Sequence, residues 1–204
     1  MKLYFAPEHI SMAPHIILIE AGFDFTLIRV NVKTLETSSG ENFLNIQPRG
    51  YVPALVLDNE KILTETPAML QYLADLKPRL RLVPRAEEWL RVQMWEAFDY
   101  LGQELHALCI PFFMPEIADE IRVHLVKRLL KRLDYIEHYL ENKTYFMGDQ
   151  FTIVDAYAYS ILATMPRFSV DLLQWRNISA YMQRLDARES ITKALEQEMM
   201  FAAV

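Results

Sequence analysis

Cysteine and glycine are scarce in this sequence, and their scarcity excludes several kinds of site. Cys109 is the one cysteine among 204 residues, so no disulfide can form within the chain, which fits a reducing compartment. The five glycines form no glycine-rich phosphate loop, and the five histidines form no Cys/His cluster with zinc-like spacing. We therefore expect neither a metal ion nor a phosphate-cradling loop.

Long apolar runs are also missing. No stretch approaches the ~18 apolar residues of a membrane span, and the N-terminus has no run long enough for a signal peptide. The formal net charge of -6 argues against nucleic acid or an anionic membrane as a partner. We read basic residues such as Arg128 and Arg132 as the solvated face of a helix. The expected location is the cytoplasm.

The sequence does contain enough apolar residues, 52%, for a packed core. Its first part mixes strand and helix signals. Ser11 offers an N-cap for a helix that Gly22 ends, and Thr64 offers one for a later helix. The predicted elements are a strand at 2–5, a helix at 11–22, a strand at 23–32, a loop with a short helix at 34–45, a β-hairpin at 53–63 and a helix at 65–76.

Composition changes after this part. The segment 77–85 holds two prolines and resembles a linker. Beyond it the periodicity is helical at 86–108, 116–142, 152–163 and 172–187. Leu125, Leu129, Leu133 and Ile136 form one stripe that we expect to be buried. The fold class is therefore α/β plus all-α, with domains at 1–78 and 86–204.

Five motifs in this order resemble the cytosolic glutathione transferases, and most closely their bacterial beta class. They are Ser-Met-Ala-Pro-His-Ile at 11–16, Asn-Ile-Gln-Pro-Arg-Gly-Tyr-Val-Pro-Ala-Leu at 45–55, Leu-Thr-Glu-Thr-Pro-Ala-Met-Leu-Gln-Tyr-Leu-Ala-Asp at 63–75, Glu-Leu-His at 104–106 and Phe-Thr-Ile-Val-Asp-Ala at 151–156. The resemblance implies an N-terminal thioredoxin-like domain that binds glutathione and a C-terminal helical bundle. Within the last motif, Thr152 and Asp155 have the spacing of a capping box, to which we assign a structural role alone.

Two segments are expected to hold glutathione. The resemblance implies a cis bond between Val52 and Pro53, where the Val52 backbone would pair with the cysteinyl part of the tripeptide like an added strand. A helix start at Glu65 and Thr66 suits the γ-glutamyl part. Its free N–H groups favour a carboxylate, Thr66 adds a hydroxyl, and Glu65 can accept from an ammonium.

Ser11 is the first candidate for catalysis. Glutathione transferases act by turning the glutathione thiol into a thiolate, the true nucleophile. Lowering a thiol pKa from about 8.5 to about 6.5 needs about 2.7 kcal/mol. A hydrogen bond to a charged group supplies about 1.5–3 kcal/mol, and a helix N-terminus adds roughly 0.3–1 kcal/mol. Ser11 at a helix start could supply both; the alternative is an N-cap serine.

His106 is the second catalytic candidate. Asp99 lies two α-helical turns earlier, so the two side chains are expected to share one helix face. The resemblance implies that His106 and Gln103 contact glutathione and that Asp99 reaches it from a neighbouring subunit; the alternative for His106 is a histidine satisfied between helices. The electrophile pocket is expected to be lined by Ile10, Phe112 and Phe113.

The chain departs from the beta class at several positions. Ile10 replaces the class cysteine, Phe5 stands where tyrosine is common, and the basic residues expected near Leu35 and at Ala107 are absent. Mixed-disulfide chemistry is therefore not expected. Cys109 is expected to be a small buried apolar group.

The sequence thus predicts a homodimeric glutathione transferase that conjugates glutathione to small apolar electrophiles. Tyr51 and Asp99 are the candidates for the dimer interface. Two alternatives stay open: a non-catalytic glutathione-binding or regulatory protein of the same fold, and a glutathione-dependent isomerase or disulfide reductase.

Overall fold

The structure is a computed structural model that describes residues 1–113 and 117–202. It contains two compact units. The first comprises Met1–Val83 together with the C-terminal segment that begins at Ala187, and the second is Pro84–Asp186. The C-terminal segment, which we had assigned by sequence to the helical domain 86–204, therefore packs with the first unit.

The first unit contains a four-stranded mixed sheet in the order β2-β1-β3-β4. β1 pairs with β2 in parallel and with β3 antiparallel, and β3 pairs antiparallel with β4. The strands are β1 Lys2–Phe5, β2 Thr26–Arg29, β3 Ala54–Val56 and β4 Ile62–Leu63. This β-α-β unit followed by a hairpin and a helix is the predicted thioredoxin-like arrangement.

Strand β2 is shorter than the predicted 23–32, and hydrogen bonds at both ends explain why. The N–H of Phe23 bonds to Leu18 O at 3.0 Å and so closes the preceding helix. At the other end, Asn31 Oδ1 accepts from the N–H groups of Lys33 and Thr34 and forms a turn. Backbone groups engaged in these turns cannot extend the sheet ladder.

Three helices complete the first unit: α1 Met12–Glu20, α2 Thr66–Asp75 and α8 Glu189–Ala202. The loop after β2 holds the expected short helix, a 3₁₀ turn at Phe43–Asn45. Phe43 is fully buried against Tyr4 and Val30, and so fastens this loop to the sheet.

Helix α8 was not predicted, and it packs along α1 through polar pairs. At the end of α1, Glu20 accepts from the Arg188 guanidinium and from the Ser190 hydroxyl at 2.6 Å. Further along, Nδ1 of the fully buried His15 lies 3.1 Å from Oε1 of Glu198, which is itself buried. Burial raises the pKa of the Glu198 carboxyl, although His15 opposes the shift. These contacts explain why the C-terminal segment packs with the first unit.

The second unit is helical, as predicted. Its helices are α3 Trp89–Asp99, α4 Ala107–Cys109, α5 Asp119–Tyr139, α6 Ile153–Leu162 and α7 Arg176–Asp186, with a π-helical stretch at Tyr100–His106 and a 3₁₀ turn at Ile110–Phe113. Leu129, Leu133 and Ile136 of the predicted stripe are fully buried, whereas Leu125 is half-buried. The predicted start of this helix, Glu116, lies outside the described residues.

The capping box at the start of α6 is confirmed and has a second role. Thr152 N–H donates to Asp155 Oδ2 at 2.7 Å, and Thr152 Oγ1 accepts from Val154 N–H. Oδ1 of Asp155 also accepts from Phe146 N–H at 2.7 Å and from the Tyr181 hydroxyl at 2.8 Å. Asp155 is fully buried. It therefore links the start of α6 to the loop before it and to α7.

Candidate functional site

Ser11 lies where β1 turns into α1, but it does not cap the helix. Its hydroxyl donates to Ala6 O at 2.9 Å and accepts from Ala6 N–H at 3.2 Å, and it makes no capping bond. The side chain is fully buried. Ser11 is therefore the residue before α1, as predicted, but its side chain does not cap the helix. A hydroxyl has one proton, and this one is already given to Ala6, so the geometry also argues against the Ser11 hydroxyl as donor to a thiolate.

The same turn offers backbone donors instead. Within the described part of the chain, the N–H groups of Ile10 and Ser11 make no hydrogen bond. Both precede α1, whose N-terminal end carries a partial positive charge. The neighbouring Phe5 is fully buried, with its ring 5.3 Å from that of Phe201, and it carries no hydroxyl. The free donors of this turn are thus main-chain groups.

The Val52–Pro53 peptide bond is cis, as predicted. Pro53 is buried and directly precedes β3, while Val52 is half-buried and packs against the core beside Tyr4 and Phe43. Neither the N–H nor the C=O of Val52 bonds to another described residue. An extended peptide could therefore pair with this backbone in the manner of an added strand.

Helix α2 begins differently from the prediction. Glu65, rather than Thr64, is the residue before the helix, and its backbone adopts φ 67°, which is uncommon for a residue with a side chain. The Thr64 hydroxyl accepts from Arg49 Nη2 at 3.0 Å instead of capping the helix. Thr66 is the first helical residue and is buried. Its N–H and hydroxyl have no partner among the described residues, so they form a small donor site.

Sequence reasoning missed Arg49. Its Nη1 lies 2.9 Å from Oε1 of Glu65, and both side chains are more than half exposed. Together with its bond to Thr64, this fixes the Arg49 guanidinium beside the start of α2. An arginine in the segment before the cis proline was visible in the sequence, but nothing local indicated that it would reach a residue sixteen positions away.

The spacing argument for Asp99 and His106 was wrong. All seven residues of Tyr100–His106 are π-helical. A π-helix has more residues per turn than an α-helix, so seven residues no longer span two full turns and the spacing gives no reason for the pair to share a face. Gly102 lies in this stretch, and a Cβ there would stand 3.1 Å from the Tyr157 hydroxyl. A larger residue at this position would therefore displace the Tyr157 side chain by a few tenths of an ångström. Asp99 and Gln103 are exposed, and His106 is half-buried.

The predicted electrophile-pocket residues belong to different units. Ile10 lies in the first unit, half-buried, in the turn before α1. Phe112 and Phe113 lie in the second unit, where both pack against Phe168, with ring centroids 4.6 Å and 5.6 Å from its ring. The two rings are therefore held in place on one side.

Cys109 is buried, as expected. Its thiol donates to Leu105 O at 3.4 Å, and burial raises its pKa to about 12. A thiol so rarely ionised is a poor nucleophile.

Across residues 1–113 and 117–202, no three His, Cys, Asp or Glu side chains are grouped closely enough to hold a metal ion. In the same residues, no helix is long and apolar enough to cross a membrane.

The chain thus combines a thioredoxin-like unit, in which several backbone N–H groups lack hydrogen-bond partners, with a helical unit. This combination is typical of one class of transferases. The family model described as the glutathione S-transferase N-terminal domain matches residues 1–75, and that of the C-terminal domain matches residues 103–189. The chain belongs to the glutathione S-transferase family and is an enzyme of that class.

Similar proteins support this assignment. Glutathione S-transferase GstA of Escherichia coli O157:H7 is 35% identical over 198 residues, which cover 97% of this chain and 98% of that protein. A bacterial beta class enzyme from Sphingomonas chungbukensis has a TM-score of 0.94 at 34% identity, covering 97% and 98%. A sphingomonad glutathione S-transferase complexed with glutathione has a TM-score of 0.94 at 32% identity, covering 98% and 100%. The resemblance to the beta class is thus confirmed.

Proposed function

We propose that this enzyme conjugates glutathione to small electrophilic compounds in the cytoplasm. One observation carries the proposal. In the first unit, unpaired polar groups occur at the three places that the family's thioredoxin-like fold uses for glutathione, namely the turn before α1, the Val52 backbone and the start of α2. A sphingomonad relative of the same fold is known in complex with glutathione.

Each part of glutathione has a matching group. The γ-glutamyl carboxylate accepts from the N–H and hydroxyl of Thr66, at the positive end of α2. The γ-glutamyl ammonium donates to the Glu65 carboxylate, which Arg49 holds in place from the other side. The cysteinyl backbone pairs with the N–H and C=O of Val52 beside Pro53. The thiol then lies at the turn before α1.

Main-chain donors can supply the energy for thiol ionisation. A thiol pKa lowered by about two units requires about 2.7 kcal/mol. One N–H bond to the thiolate contributes about 1.5–3 kcal/mol, and the α1 dipole adds roughly 0.3–1 kcal/mol. The N–H groups of Ile10 and Ser11 are therefore sufficient without a side-chain hydroxyl. The thiol proton leaves to solvent, sulfur attacks the electrophilic carbon, and the leaving group departs with its bonding electrons.

The second unit supplies further contacts in this proposal. Gln103 and His106 contact glutathione of the same subunit, and Asp99 contacts that of the partner subunit. The half-buried His106 remains a second candidate for stabilising the thiolate.

We propose a homodimer on the basis of exposed aromatic residues. The Tyr51 side chain is 72% exposed, although it is large and apolar for most of its surface. Trp89, Val92 and Trp95 of α3 are exposed as well. Large aromatic side chains favour protein interfaces. Sedimentation of the chain as a dimer at micromolar concentration is the expected result, and a monomer would contradict it.

The decisive experiment combines calorimetry with glutathione and a conjugation assay with an aryl halide. Binding followed by turnover is the outcome that the proposal requires. Binding without turnover would favour a non-catalytic ligand-binding protein, which the loss of the class cysteine at Ile10 makes the main alternative. Absence of binding would contradict the proposed site altogether. Turnover with a disulfide or an isomerisable substrate alone would favour the isomerase or reductase alternative.

A further inference from the structure

Arg49 extends from a turn of the first unit whose backbone is fixed by hydrogen bonds. Gln47 is buried, and its N–H donates to Phe43 O at 2.8 Å. The N–H of Gly50, at φ 71°, donates to Gln47 O at 2.9 Å and closes the turn. Between them, the N–H of Arg49 donates to Oε1 of the Gln47 side chain at 3.3 Å. The base of the Arg49 side chain is therefore held in place.

The other end of Arg49 is held by two neighbouring residues. Its Nη1 lies 2.9 Å from Oε1 of Glu65, and its Nη2 donates to the Thr64 hydroxyl at 3.0 Å. A guanidinium is planar and rigid, so two contacts through different nitrogens fix its orientation as well as its position. Arg49 thus joins the turn before the cis proline to the start of α2.

Glu65 keeps one carboxylate oxygen available in this arrangement. Oε1 is engaged by Arg49, whereas Oε2 accepts no hydrogen bond from residues 1–113 or 117–202. The side chain is 66% exposed, so without Arg49 it would sample several rotamers in solvent. Because Glu65 directly precedes Thr66, the available oxygen belongs to the same helix start as the N–H and hydroxyl donors of Thr66.

The Arg49–Glu65 contact contributes little to folding. Both side chains are more than half exposed, and exposed ion pairs stabilise proteins weakly. Glu65 also adopts a backbone conformation with φ 67°, which is uncommon for a residue with a side chain and unfavourable for stability. The contact therefore makes better sense as a device that orients the Glu65 carboxylate for a ligand.

We propose that Arg49 is a positioning residue that makes this enzyme select its thiol by a free α-amino group, which rests on the function proposed above. The γ-glutamyl end of glutathione carries an ammonium and a carboxylate on one carbon. The carboxylate accepts from Thr66, and the ammonium donates to Oε2 of Glu65. Arg49 does not touch the ligand, but it holds Oε1 and so keeps Oε2 directed at the ammonium.

The positive charge of Arg49 also repels the ammonium, and the two effects oppose each other. The guanidinium lies on the far side of the Glu65 carboxylate, and both side chains are exposed to water, where such a repulsion is weak and further screened by salt. Immobilising a charged side chain in advance lowers the entropy that binding would otherwise cost. We therefore expect orientation to outweigh repulsion.

The test compares glutathione with its des-amino analogue, glutaryl-cysteinyl-glycine, in which hydrogen replaces the α-amino group. Calorimetry gives the Kd of each compound. The unaltered chain should bind glutathione about tenfold more tightly, the factor that one charge-assisted hydrogen bond supplies. Equal binding of the two compounds would overturn the proposal.

Variants assign the preference to Arg49. Arg49→Gln should weaken glutathione binding about fivefold, as expected when one side chain must be ordered on binding, and change the Kd of the analogue less than about twofold. Arg49→Lys keeps the charge without the planar fork and should give an intermediate Kd. Arg79→Gln changes an exposed arginine of the same unit that forms no ion pair with residues 1–113 or 117–202, and it should leave both Kd values unchanged.

A double-mutant cycle shows whether Arg49 acts through Glu65. Glu65→Gln should weaken glutathione binding about tenfold and leave the analogue unchanged. Once Glu65 is replaced, adding Arg49→Gln should change the Kd of glutathione less than about twofold, because the carboxylate to be oriented is gone. A full fivefold loss in that background would mean that Arg49 contacts the ligand itself, which contradicts a positioning role.

The outcomes separate this inference from the proposed function. If the unaltered chain binds neither compound, the proposed glutathione site has failed and the inference with it. If it binds and conjugates glutathione but Arg49→Gln weakens both compounds equally, the function stands and the selection of the α-amino group by Arg49 is wrong. Tighter binding of glutathione to Arg49→Gln would show that repulsion dominates and would also overturn the inference.

Discussion

Ser11 and Ala6 are joined by hydrogen bonds in both directions, since the Ser11 hydroxyl donates to Ala6 O and accepts from Ala6 N–H. This pair ties the start of α1 back to the end of β1. The side chain of the residue that we predicted to be catalytic therefore has a structural role, and in our proposal its backbone N–H stabilises the thiolate instead.

Ser11→Ala should accordingly affect stability more than chemistry. The substitution leaves the buried N–H and C=O of Ala6 without partners, which costs about 1–3 kcal/mol. The bonds from Met12 N–H to His9 O and from Ala13 N–H to Ile10 O still shape the turn, so kcat should fall less than about threefold. Urea denaturation and the pH–rate profile measure the two effects. A fall near 30-fold, with the profile moved upward and stability unchanged, would show that the hydroxyl turns to the sulfur when glutathione binds.

Thr66→Ala should weaken glutathione binding without changing thiol ionisation. The hydroxyl donates to the glutathione carboxylate in our proposal, and a hydrogen bond to a charged group contributes about 1.5–3 kcal/mol, or roughly tenfold or more in Kd. Calorimetry gives the Kd and the pH–rate profile reports the thiol. Thr64→Ala is the matched control, because its hydroxyl faces Arg49, and its Kd should change less than about threefold. Equal effects of the two variants would contradict the assignment of Thr66.

Asp155→Ala should destabilise the second unit beyond the loss of a helix cap. A cap alone contributes about 0.5–2 kcal/mol, but the substitution also leaves the buried Phe146 N–H and Tyr181 hydroxyl unpaired, so we expect about 3 kcal/mol or more. The free energy of unfolding measures this directly. Asp149→Ala, at an exposed position nearby, should cost less than about 0.5 kcal/mol. A cost for Asp155→Ala within the range of a cap would mean that the two additional bonds contribute nothing.

The Glu20–Arg188 pair should make part of the stability depend on acid pH. Burial alone would raise the pKa of Glu20, but hydrogen bonds from Arg188 and Ser190 outweigh it and lower the pKa below its ordinary 4.5. The folded pKa then lies below the unfolded one, so the pair stabilises the protein above the unfolded pKa, and this contribution is lost as pH falls through the folded pKa. Glu20→Gln should remove that dependence when unfolding is followed from neutral pH downward.

The control for this prediction is Glu87→Gln, which changes an exposed glutamate that forms no ion pair with residues 1–113 or 117–202. It should leave the acid limb of the stability curve in place. If Glu20→Gln and the unaltered chain lost stability in parallel below pH 4.5, the pair would have no part in it.

The sequence by itself determined the features that depend on local pattern. The Thr152-x-x-Asp155 spacing specified a capping box because both partners lie within one helical turn. Short apolar runs bounded by turn residues predicted the strands, helical periodicity predicted most of the helices, and the resemblance of five motifs indicated the family. The cis bond between Val52 and Pro53 was predicted through the family resemblance of the motif that contains it, and the structure confirms it.

Tertiary structure decided everything that depends on contacts between distant residues. Helix α8 packs along α1 through His15–Glu198 and Glu20–Arg188, pairs more than 160 residues apart that no local pattern indicates. The stretch Tyr100–His106 is π-helical, and the sequence period, which predicted an α-helix here, does not indicate this. The Ser11 hydroxyl forms hydrogen bonds with the Ala6 backbone rather than capping α1. Buried polar groups need hydrogen-bond partners, and the partners that are available depend on the folded structure rather than on position in the sequence.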